Sequence, residues 1–153
     1  MLFRSLENSK VEEYWKRFKS EINVDSNNYD AWQFGFDADL LGGLVVERKK
    51  TATASAQVFY GIEQEDLPKV GGYNIILDSQ NNPLCITKTT KVYVIPFNQV
   101  SSEHAYKEGE GDRSLDYWRE AHKTFFTNEL KNINQDFQKD MEVVCEEFEL
   151  VYK

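Results

Sequence analysis

Apolar residues recur at helical spacing near the start of the chain, where Val11, Tyr14, Trp15, Phe18 and Ile22 share one face. Ser9-Lys10-Val11-Glu12 reads as a capping box, with Ser9 as N-cap and Glu12 at N3. A turn-rich connector, VDSNNY at 24–29, follows. A second helix is predicted from an Asp37 cap, with Leu40, Leu41, Leu44 and Val45 on its buried side. Gly42 and Gly43 inside it cost about 1 kcal/mol each relative to Ala and mark a bend or a close approach to another backbone.

The period changes to two at Thr51. Thr51, Thr53 and Ser55 then share one face of a strand and Ala52, Ala54 and Ala56 the other, with Val58, Phe59 and Tyr60 continuing it. A strand is expected at 72–77, GYNIIL, with a hairpin turn at 78–82, DSQNN. The β-branched run LCITKTTKVYVI leads to Pro96, and Asn98 is placed to cap a short helix through Val100 and Ala105 that ends in EGEGD at 108–112. Ser114 caps a further helix carrying Leu115, Trp118, His122, Phe125 and Phe126 on one side, and Glu142 to Tyr152 alternates as a last strand. Helices and strands are mixed without regular βαβ alternation, which predicts an α+β fold: a small, mostly antiparallel β-barrel decorated by several α-helices.

Composition narrows the function. A chain of 153 residues suits one domain, and a net charge of -8 argues against long duplex nucleic acid, which needs a basic face. A nucleotide or short single strand at a local basic site stays open. Cys85 and Cys145 lie far apart in apolar runs without metal spacing, so buried reduced thiols are expected and a zinc site is not. The segment MLFRSLENSK lacks an apolar run long enough for a signal peptide, and no stretch approaches a membrane span; a cytoplasmic location is expected. Acids from Asp136 to Glu149 read as a solvated face.

The segment ERKKTATAS at 47–55 sets two lysines against three hydroxyls. Cations at a helix C-terminus explain the lysines without chemistry. The other reading is an activated hydroxyl: a threonine needs a base in hydrogen-bond reach, and Lys50 serves if desolvation or neighbouring cations such as Arg48 and Lys49 lower its proton affinity. Residues three apart on a regular strand face opposite ways, so Lys50 and Thr53 converge only if Lys50 precedes the strand or a bulge intervenes.

AWQFGF at 31–36, GLVVERKKTATAS at 43–55, LPKVGGY at 67–73, EHAYKEGEGDRSLDYWREAH at 103–122 and VVCEEFELV at 143–151 together resemble the ASCH domain family, in particular its longer bacterial branch. The resemblance covers nearly the whole chain, making residues 1–153 one ASCH domain with an N-terminal helical extension at about 9–22. It implies a PUA-like barrel, an RNA or nucleotide cleft beside it, and, from one short-chain branch, hydrolysis of the acetyl amide of N4-acetylcytidine. That branch uses a Lys and a Thr from Lys-Thr-x-Thr and a Glu closing His-Ala-x-x-Glu. Here these fall on Lys50, Thr53 and Glu108 as catalytic candidates. Arg48, Thr51, Ser55, Glu110 and Arg119 are the substrate-binding candidates, with no cofactor or metal implied. The expected partners are a nucleoside, a nucleotide or a short single-stranded RNA, with no membrane. The EGEGD-SL-x-x-WR segment has no counterpart in the acetylcytidine branch and leaves the substrate open. A non-catalytic binding module using the same cleft is the alternative. Trp118 and His122 share a helix face and read first as core and core edge, as do Trp32, Phe34 and Phe36.

Overall fold

The computed structural model describes residues 8–153; the first seven residues of the MLFRSLENSK segment lie outside it. Helix α1 (Ser9–Ile22) is capped by Asn8, whose side chain accepts from the Val11 amide, so the cap sits one residue earlier than the Ser9 box places it. Either polar residue suits the position, and Asn8 takes it. Val11, Trp15 and Phe18 pack against Ile75, Leu77 and Ile86 of the sheet.

The connector that follows hides strand β1 (Tyr29–Trp32). Helix α2 (Ala38–Val46) starts at Asp37 as expected, its carboxylate accepting from the Leu40 amide. Leu41 and Val45 are buried, but Leu40 is 55% exposed and does not belong to the buried side. Gly42 is the close approach: a Cβ there would stand 2.5 Å from Leu84 Cδ1, a side chain rather than another backbone.

Strand β2 (Ala52–Ala56) is shorter than predicted, because Val58, Phe59 and Tyr60 belong to helix α3 (Gln57–Glu63). The reason is the partner: Ala56 pairs with Val143, one residue into strand β5 (Glu142–Tyr152), so a longer β2 would have no ladder to join. Strands β3 (Tyr73–Leu77) and β4 (Pro83–Pro96) form the hairpin around residues 78–82. After β4 comes a 3₁₀ turn (Phe97–Gln99), then helix α4 (Ser102–Glu108) capped by Ser101 instead of Asn98. Helix α5 (Leu115–Lys131) starts from the Ser114 cap.

The five strands form one mixed sheet in the order β1-β3-β4-β5-β2. Only β1 and β3 run parallel; the other neighbours are antiparallel. The sheet is α+β and open. β1 and β2 are its two edges and no pairing joins them among the described residues, so the closed barrel expected above is not formed. Register shifts interrupt the pairing of β4 with β5 between Ile86 and Thr87 and between Thr89 and Lys91.

Cys85 and Cys145 are buried and free, and burial pushes both thiols up to about 12. The C-terminal acids are not uniformly solvated: Glu146 is 1% exposed and accepts from the Thr89 hydroxyl. No helix among the described residues is long and apolar enough to cross a membrane.

Candidate functional site

Lys50 is carried inward by the way α2 ends. The Arg48 amide bonds to Val45 O at 2.9 Å and the Lys49 amide to Leu44 O at 2.9 Å, the paired contacts of a Schellman cap. Arg48 occupies the left-handed position, φ 63°, that glycine usually fills. The turn leaves Arg48 and Lys49 exposed and directs Lys50 into the interior, where it is 1% exposed. Because β2 begins only at Ala52, Lys50 is free of the strand's alternation and lines the same cavity as Thr53.

Glu108 arrives from the opposite side as the last residue of α4. The helix stops at Gly109, φ 75°, where a Cβ would lie 2.4 Å from Lys49 O and 3.1 Å from Lys50 Cα. Glycine is thus required both by conformation and by contact. The loop then rests directly on the backbone of the lysine it serves. Lys50 Nζ donates to Glu108 Oε1 at 3.2 Å and to Glu110 Oε2 at 2.8 Å.

Glu108 is the centre of a wider network. His104, one turn earlier, approaches Oε2 through Nε2 at 2.7 Å, and the Trp118 indole donates to the same oxygen at 2.5 Å. His122 Nε2 stands 3.4 Å from Oε1. Burial alone would raise the Glu108 carboxyl, but the charges of His122 and Lys50 and the histidine hydrogen bonds outweigh it and hold it well below the ordinary carboxylate range. An ionised carboxylate only accepts, so every facing nitrogen carries a hydrogen.

For His122 this fixes the charge. Its Nδ1 faces the Trp118 carbonyl at 2.9 Å, which also only accepts. Both ring nitrogens therefore bear protons and the ring is an imidazolium. Burial works against that charge, yet Glu108 and then Glu110 raise the imidazole above its usual value. The ring stacks on Trp118 at 4.1 Å and 16°, a favourable seat for a cation.

Members of the network line a cavity of about 470 Å³. Lys50, Thr53, Ser55, Glu108, Glu110 and His122 line it, with Phe34, Phe36, Phe59, Tyr60, Tyr117 and Phe125 supplying aromatic wall. Phe36 is 65% exposed, whereas Phe34 is buried and Lys50 Nζ stands 5.2 Å from its ring centroid. Ser55 Oγ is 2.8 Å from the Tyr60 hydroxyl.

Three sequence candidates stand elsewhere. Arg48 is the exposed helix terminator and does not line the cavity. The Thr51 hydroxyl donates to Lys107 O at 3.3 Å, tying the end of α4 to the start of β2. Arg119 Nη2 donates to Asn98 O at 3.1 Å, and its Nε is buried without a partner among the described residues. Lys50 is therefore flanked by carboxylates, not by the cations Arg48 and Lys49 that the sequence reading set beside it. His104 and His122, and the polar role of Trp118, were missed. Their signal was the i, i+4 spacing of His104 with Glu108 and of Trp118 with His122. No grouping of His, Cys, Asp and Glu fit to hold a metal ion occurs among the described residues.

The ASCH domain family matches residues 30–152. The chain belongs to the ASCH domain family. Its fold is similar to the crystal structure of an ASCH domain from Lactobacillus crispatus, at 30% identity and a TM-score of 0.88, covering 95% of this chain and 96% of that one. It is likewise similar to protein EF3133 of Enterococcus faecalis, at 44% identity and a TM-score of 0.86, covering 94% of this chain and 88% of that one. No curated protein matches it. In this ASCH domain the family match begins at β1, and α1 precedes it.

Proposed function

We propose that this ASCH domain hydrolyses the acyl amide of a modified nucleoside, in the manner of an N4-acetylcytidine amidohydrolase. The observation that carries the reading is the meeting of Lys50, Thr53 and Glu108 on one cavity, with Lys50 and Glu108 in direct contact at 3.2 Å. Thr53 supplies the hydroxyl. Its oxygen bonds to the acyl carbon, the bond from that carbon to N4 breaks, and the hydroxyl proton ends on the departing amine. Water then releases the acid from the threonine ester. Lys50, a buried cation on the same cavity, stabilises the negative charge that develops on the acyl oxygen. Glu108 holds Lys50 in place. The aromatic wall offers faces on which a base stacks, the mode by which unpaired bases are recognised.

A second reading has its own support. Lys50 is engaged by both Glu108 and Glu110, which favours a site that binds a nucleoside, nucleotide or short single-stranded RNA without chemistry. The test is incubation of purified protein with a panel of N4-acylated cytidines, scored for release of cytidine. Release by the wild type and its loss in Lys50→Ala and Thr53→Ala supports the hydrolase. Binding without release, or equal release by the variants, rejects it.

A further inference from the structure

Two carboxylates reach Lys50, and they differ in what they have left to offer a ligand. Glu108 is 1% exposed and surrounded by four donors: Lys50 and His122 at Oε1, His104 and Trp118 at Oε2. A carboxylate has about four acceptor sites, so those of Glu108 are taken. Glu110 is 16% exposed and lines the cavity. Its Oε2 accepts from Lys50 at 2.8 Å, while Oε1 has no hydrogen-bond partner among the described residues.

The placement of Glu110 is built into the backbone. Gly109 lies against the Lys49–Lys50 peptide, and the Arg113 amide closes a turn on the Glu110 carbonyl at 3.0 Å. Lys50 then fixes one carboxylate oxygen of this cavity-lining residue and leaves the other without a partner among the described residues. This is the arrangement of a recognition group: oriented, charged and unfilled.

We propose that Glu110 is the specificity-determining residue of the cavity, its Oε1 accepting an N–H from the ligand's amide or amino group, while Glu108 is a positioning anion that never meets the ligand. The ligand class is a heteroaromatic base with an N–H at the exocyclic position, which in an N4-acylated cytidine is the amide N–H itself. A ligand presenting only lone pairs at that position sets acceptor against acceptor. The inference rests on the nucleoside reading of the cavity, and it moves ligand contact from the glutamate of the His-Ala-x-x-Glu stretch to the one two residues beyond.

The test is binding, measured by calorimetry with cytidine and with 2-pyrimidinone riboside, which lacks only the 4-amino group. A charge-assisted hydrogen bond predicts that the wild type prefers cytidine by about tenfold or more. Glu110→Ala brings the ratio close to one, and Arg48→Ala, an exposed residue outside the cavity lining, leaves it at the wild-type value. Glu110→Gln, which keeps the shape and removes the charge, lowers the ratio part of the way. A ratio unchanged by both Glu110 variants, a ratio lost equally in Arg48→Ala, or no binding of either probe overturns the proposal. Turnover of N4-acetylcytidine is scored separately. Intact discrimination without turnover rejects the hydrolase and leaves Glu110 standing, whereas turnover with discrimination independent of Glu110 does the reverse.

Discussion

Two buried glutamates, each reached through a tryptophan indole, are handled differently. Around Glu108 the donors are charged as well as neutral and converge from three separate segments, with the cavity on one side. Around Glu146 the arrangement is a rung across the sheet. Trp32 Nε1 donates to Asn74 Oδ1 at 3.0 Å, Asn74 Nδ2 to Thr89 Oγ1 at 3.1 Å, and Thr89 Oγ1 to Glu146 Oε2 at 2.7 Å. Asn74, Thr89 and Glu146 sit on β3, β4 and β5, neighbours already joined by backbone pairing. The rung decorates a scaffold that exists without it. The Glu108 network instead links side chains of α4, α5 and the residues after α2 across long stretches of chain. The difference separates polar groups that follow from a fold from polar groups that hold a site together.

The largest expected effect sharpens this contrast. Lys50→Met leaves Glu108 and Glu110 without their shared cation, and breaking such a buried arrangement costs about 3–5 kcal/mol. Asn74→Ala removes a buried neutral link between the Trp32 indole and the Thr89 hydroxyl, at about 1–3 kcal/mol. Urea unfolding of both variants measures the gap; equal losses break the comparison.

Acidity provides the next test. The depressed Glu108 carboxyl contributes stability that is present above its unfolded value of 4.5 and is lost as pH falls through its lower folded value. The raised His122 imidazole contributes stability that is complete below its unfolded value of 6.5 and is lost as pH rises through its higher folded value. The contribution of the pair is therefore greatest between pH 4.5 and 6.5. The difference in Tm between the wild type and His122→Gln, followed from pH 5 to pH 9, is expected to shrink on the alkaline side as the wild type loses its His122 contribution. Asn74→Ala differs from the wild type by a constant amount over that range, and a parallel trend in both variants contradicts the assignment.

The smallest effect lies at the margin of the site. Arg48→Ala alters an exposed side chain outside the cavity and is expected to change stability by about 0.5 kcal/mol or less. Nucleoside affinity should remain that of the wild type. A marked loss of affinity would return Arg48 to the binding surface.

Much of this architecture was legible in the chain because local and global preferences agree. The periodicity of α1, the Asp37 and Ser114 caps and the alternation of β5 each predicted the element found. Where they disagree, the partner decides. Val58, Phe59 and Tyr60 favour a strand by side-chain type, yet β5 offers nothing for them to pair with, and they coil into α3. Strand β1 was hidden because its first residue closes a polar turn and its pairing with β3 spans more than forty positions, Tyr29 to Tyr73. The barrel expectation came from the mixture of helices and strands as well as from resemblance, and strand order, which no local pattern encodes, left the sheet open. At the site, Lys50, Thr53, Glu108 and Glu110 were all named from sequence and all line the cavity. Trp118 and His122 were read as packing because a hydrophobic face and a hydrogen-bonding face look alike until the distant glutamate is in position.

Lys50 and Glu108 are separated by 58 positions, and no nearer acid replaces Glu108 in that contact. During synthesis the lysine emerges well before its counterion, so the pocket cannot exist on a growing chain until α4 has followed it. Trp118 emerges later still and donates directly to that glutamate. With Trp15 and Trp32 replaced by Phe, its fluorescence alone follows the closing of the cavity during refolding.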